Sequence, residues 1–203
     1  MCSNGTAVSD EHTPEALRDA IRSIERAFLV GVPGATEVWL VRHGDCYDDM
    51  AELSDPPLSA KGREQARRLS DRIRRLRVDA VYSSPLRRAR ETAGAIADDV
   101  RVEARLVEVA TDLEAGHVEV IEQPERVVER MRAAVADAVA AHPGGRVVMV
   151  SHGVAILGYV CDVLRLEFGS LRLLPYYTSV NVVRVLGERR MVGALADVSH
   201  LEA

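Results

Sequence analysis

Only one lysine, Lys61, stands among the 26 basic residues. The positive charge is otherwise arginine, whose planar fork matches phosphate oxygens in pairs. A compositional bias of the source genome accounts for most of that excess. Cysteine is scarce as well: Cys2, Cys46 and Cys161 are too few, too scattered and odd in number for a disulfide framework, and they lack zinc-finger spacing, so a reducing cytoplasm is the expected home. Positive charge in excess is missing. With a net charge of −5 and a pI near 5.7, no global field would hold nucleic acid or an anionic membrane. Long apolar runs are missing too; residues 27–32 are apolar but far too few to span a bilayer. The acidic residues ahead of the first helical pattern do not read as a secretory signal. There is no His-Glu-x-x-His and no cysteine pair, so neither a metal nor another cofactor is expected. Gly31-Val32-Pro33-Gly34 lacks the Lys-Ser/Thr of a nucleotide-binding loop.

What is present fits an ordinary globular chain: 203 residues, 47% hydrophobic and 28% charged. Two parts are expected, an N-terminal extension over residues 1–36 and a domain over 37–203. In the first, Thr13 as N-cap and Pro14 at the first helical position open a helix with Leu17, Ile21, Ile24 and Phe28 on one stripe. That stripe has to be covered, by its own domain or in a homodimer. In the second, Glu37-Val38-Trp39-Leu40-Val41 and Val147-Val148-Met149-Val150 read as buried strands. Residues 78–82 and 100–102 read as further strands. Helices are expected after Ser59, over 86–97, from Pro124 and over 154–164, and a hairpin around Gly187-Glu188. Residues 109–123 are poorly patterned. The alternation predicts a three-layer α/β/α sandwich with a mainly parallel sheet, an antiparallel edge strand and an added N-terminal helix.

Ligands in open α/β sheets bind at the carboxyl ends of strands. Both apolar strands end in a histidine followed by glycine, in Arg42-His43-Gly44 and Ser151-His152-Gly153. Two imidazoles should therefore converge. Two further stretches accompany them, Asp55-Pro56-Pro57-Leu58-Ser59-Ala60-Lys61-Gly62-Arg63-Glu64-Gln65-Ala66 and Ser84-Pro85-Leu86-Arg87-Arg88-Ala89-Arg90-Glu91-Thr92-Ala93. In this order the four motifs resemble those of the histidine phosphatase superfamily, the phosphoglycerate mutase-like enzymes, over residues 37–186.

The resemblance implies a phosphomonoesterase that works without a metal through a phosphohistidine on His43. A neutral imidazole can attack phosphorus directly. Arg42, Arg88 and His152 match the positions that bind the phosphate and carry its transition-state charge. Arg87 adjoins Arg88 but lies about 100° away around a helix, so the two cannot share one pocket. Glu108, in Arg105-Leu106-Val107-Glu108, resembles the segment bearing the general acid, with Asp112 and Glu114 as alternatives. Val109-Ala110 departs from the usual continuation there. Cys46 and Asp49 replace a threonine and a phosphate-binding asparagine, so no phosphate role passes to Asp49, and Cys46 reads as filler. His12, His117, His142 and His200 lack motif support and are expected to be exposed or capping.

Mutases of the superfamily carry a long insertion between the acid and the second histidine, whereas a short loop and one helix separate Glu108 from His152 here. That favours transfer to water, with a small phosphorylated metabolite as substrate. A phosphoglycerate mutase-type phosphotransferase or a phosphohistidine or phosphoprotein phosphatase are the alternatives.

Overall fold

The computed structural model describes residues 14–47, 55–114 and 117–202, with no side-chain description at 113, 114, 117 and 118. Thr13 and Asp49 lie outside the described residues. The chain divides into residues 1–32 and 33–203. In the first unit, α1 (Pro14–Ala27) opens on the proline, which has no N–H to leave unpaired. None of its residues is buried, and Leu17, Ile21, Ile24 and Phe28 are all exposed.

The second unit is built on a six-stranded sheet. Its order is β3 (Val100–Val102), β2 (Ala80–Ser83), β6 (Arg146–Ser151), β1 (Thr36–Arg42), β7 (Val180–Leu186), β8 (Arg189–Asp197). The first four strands run parallel; β7 runs against β1, and β8 turns back outside it. A hairpin thus forms the antiparallel edge.

Strand period assigns the two faces. Val38, Leu40, Val147 and Met149 point to one side, against Val127, Met131 and Val135 of α4 (Pro124–Ala141) and Ile156 and Tyr159 of α5 (Gly153–Leu164). Trp39, Val41, Val148 and Val150 point to the other. There they meet Leu69 and Ile73 of α2 (Ala60–Ile73) and Ala89 and Ala93 of α3 (Arg87–Ile96). Because both faces are covered, β1 and β6 can be apolar at nearly every position, and three layers result.

Ser59 caps α2, its side chain accepting from the Gly62 N–H. Asp55 serves α3 similarly, accepting the Arg87 N–H at 2.8 and 3.0 Å. The poorly patterned 109–123 segment contains a two-stranded antiparallel ribbon, β4 (Thr111–Glu114) with β5 (His117–Val120). Thr111, Asp112, Glu119 and Val120 are exposed. Among the described residues, no helix is long and apolar enough to cross a membrane.

Candidate active site

Parallel pairing places Arg42 opposite Ser151, so the residues that follow, His43 and His152, leave neighbouring strands at the same edge. Two backbone bonds fasten that edge: the His43 N–H donates to the Ser151 carbonyl at 3.0 Å and the Ser84 N–H to that of Val150 at 2.9 Å. The two imidazoles converge, with ring centroids 5.0 Å apart and both rings buried.

His43 is fixed from both sides. Nδ1 lies 2.7 Å from the Gly44 carbonyl, and Nε2 lies 3.2 Å from Arg88 Nε. Arginine can only donate, so Nε2 accepts and the ring proton sits on Nδ1. Burial, reinforced by Arg88 and Arg42 and opposed by the Gly44 bond, pushes the His43 pKa down to about 3. Its Nε2 is therefore unprotonated at neutral pH, with Arg88 donating to the lone pair.

His152 is likewise held neutral, pushed well below its ordinary range by burial first, then by His43, Arg88 and Arg42. Its Nε2 sits 2.8 Å from Ser84 Oγ, which accepts the Leu86 N–H at 3.3 Å. If the Ser84 hydroxyl donates to Nε2, the imidazole N–H falls on Nδ1, a buried nitrogen without a hydrogen-bond partner among the described residues.

Arg88 is buried at this edge, its Nη1 3.6 Å from Asp55, whereas the adjacent Arg87 points outward to Glu91 at 2.8 Å. Arg42 donates to the Pro175 carbonyl at 2.9 Å and lies 4.2 Å from the centroid of the Tyr177 ring, leaving Nε buried and unpartnered. Glu108 reaches α5: its Oε1 accepts from Val109 N at 2.9 Å and Ala155 N at 3.1 Å, on the first turn after His152. Asp112 stands exposed on β4, and the Glu114 side chain lies outside the described residues.

Several residues around the site carry no recognisable signal or were given another role. Asp45 is buried, accepting the Ser59 hydroxyl at 2.6 Å while its N–H donates to Gln65 at 2.9 Å. The Gly44 N–H donates to Thr92 Oγ1 at 3.0 Å. Both bonds tie the loop after His43 to the two helices whose motifs accompany it. Cys46 is buried as filler, its thiol pushed up by burial. His142 caps α4, as a capping role predicts. His200 corrects its expectation: it is buried beside Thr178, with its pKa lowered by burial to about 4. Its position three residues past the end of β8 gave no hint of that neighbour. Among the described residues, no three His, Cys, Asp or Glu side chains gather as metal ligands.

Comparison with known proteins bears on the family and the fold. The probable phosphoglycerate mutase GpmB of Enterobacter sp. (strain 638) is 30% identical over 205 residues, spanning 82% of this chain and 95% of the relative. Among solved structures, Bacillus stearothermophilus YhfR superposes with a TM-score of 0.70 at 26% identity, over 82% of this chain and 99% of its own. A phosphoserine phosphatase from Entamoeba histolytica, in complex with 3-phosphoglyceric acid, shares the fold at 21% identity and TM-score 0.68, over 82% and 99% of the two chains. The family model described as histidine phosphatase superfamily (branch 1) matches residues 38–123 and 111–198, and the chain belongs to that superfamily.

Proposed function

We propose that the protein is a metal-independent phosphomonoesterase that forms a phosphohistidine on His43. The observation that carries this reading is the His43 ring itself: buried, neutral, its proton locked on Nδ1 by Gly44, and its Nε2 facing the Arg88 guanidinium. Nε2 attacks phosphorus in line as the bond to the substrate alcohol breaks. The leaving alkoxide takes a proton from Glu108. Water then attacks the phosphohistidine, the N–P bond breaks, and Glu108 takes the water proton as orthophosphate departs.

Arg42, Arg88 and the His152 N–H hold the equatorial oxygens, donors that are set in place before the reaction starts. Turnover of p-nitrophenyl phosphate in the presence of a chelator tests the activity. His43→Ala should abolish both turnover and acid-labile labelling by substrate phosphate, and survival of either would end the proposal.

A mutase reading has one observation in its favour, the name of the 30% identical relatives. The 18-residue α4 and the short ribbon between Glu108 and His152 speak against a closed site that would keep water out. Interconversion of 2- and 3-phosphoglycerate outpacing release of orthophosphate would decide for the mutase.

A further inference from the structure

The wall beside His43 is aromatic. Residues 173–177 read Leu-Leu-Pro-Tyr-Tyr. The Tyr177 ring lies 6.0 Å from the His43 ring, 5.5 Å from Tyr176 and 6.5 Å from Tyr47, centroid to centroid. Leu174 joins this wall: a Cβ on Gly153, the residue after His152, would meet Leu174 Cδ1 at 3.1 Å and Arg42 Nε at 3.4 Å. Tyr47, Leu174 and Tyr176 are 50%, 59% and 47% exposed, so apolar surface lies open next to the reacting groups. Monomeric proteins seldom leave such a patch without a use.

We infer that the substrate is a phosphomonoester whose alcohol part is apolar and aromatic, stacked against Tyr47, Tyr176 and Tyr177. This rests on the phosphatase reading above and names the substrate class of that same site. Offset or edge contacts between rings, together with the area they bury, supply the selectivity.

Benzyl phosphate, ethyl phosphate and 3-phosphoglycerate make the test. Benzyl and ethyl alcohol are both primary alcohols, so their comparison isolates the ring from a difference in reaction type. Benzyl phosphate should be hydrolysed with a kcat/KM about tenfold above ethyl phosphate and further above 3-phosphoglycerate. Tyr176→Ala and Tyr47→Ala should each cut the benzyl-to-ethyl ratio severalfold, and Tyr176→Phe should keep it. A ratio near one, or 3-phosphoglycerate equal to benzyl phosphate, overturns the inference while acid-labile labelling of His43 leaves the phosphatase reading standing. Loss of all turnover and of labelling removes both.

Discussion

The Thr178 N–H is shared between the carbonyls of Arg42 and His43, at 3.0 and 3.3 Å, from a backbone held at φ +58°. A β-branched residue in the left-handed region is strained by roughly 1–3 kcal/mol. Its hydroxyl offsets this, lying 2.7 Å from the Tyr177 carbonyl and 3.0 Å from His200 Nε2. Thr178→Val keeps the strain and the shape but strips both hydroxyl bonds. It should lower stability by about 1–3 kcal/mol, seen as a drop in the urea midpoint, and reduce kcat by loosening the strand end that carries His43.

Acid should destabilise the fold through its buried imidazoles. His43 is held at about 3 when folded, below the ordinary value near 6.5, so the unfolded chain takes up a proton over a range where the folded chain refuses it. Stability contributed by neutral His43 is full above about pH 6.5 and falls as pH drops from there towards 3. His152 and His200, shifted in the same direction, add to the slope. Urea unfolding across this pH range should show His43→Ala with a shallower acid decline than the wild type; parallel curves would contradict the assignment.

Arg88 and Arg87 should separate sharply in kinetics. Arg88 is buried against His43, while Arg87 is half exposed and paired with Glu91. Removing a preorganised donor costs about 2.7–4 kcal/mol of barrier, so Arg88→Ala should slow kcat by roughly a hundredfold or more. Arg87→Ala should change it little. Steady-state rates in which Arg87→Ala is the more damaging would reverse the placement of the two side chains.

Gly62 admits no side chain. A Cβ there would collide with the Asp45 carbonyl oxygen and come within 2.8 and 2.9 Å of the Asp45 carbonyl carbon and nitrogen. Backbone cannot swing aside as a long side chain can. Gly62→Ala should push the start of α2 off the loop after His43, break the 2.6 Å bond from Ser59 to Asp45, and lower both the melting temperature and the rate. Calorimetry with a rate assay on the same sample checks this.

The sequence made β1 and β6 readable because both are apolar runs bounded by turn residues and ended by His43 and His152. Their adjacency also needed the motifs between them. Ser59 and Pro124 announced their helices through local chemistry that does not depend on the fold. The β4–β5 ribbon was illegible because its strands are only four residues each, too short for a pattern to stand out from a loop. Thr178 acts through a backbone N–H and an unusual φ, neither of which a residue name records. Ser84 stood inside a recognised stretch, yet its pairing with His152 depends on how β2 and β6 align. The apolar stripe of α1 was evident from its spacing, but a spacing cannot say what covers it.

The charge that would meet a phosphate here comes from Arg42 and Arg88, since both histidines are discharged by burial. Guanidinium groups do not titrate in the range where enzymes work. If Arg42 and Arg88 hold released orthophosphate as proposed, their share of that grip does not titrate, and its pH dependence should follow the ionisation of phosphate itself.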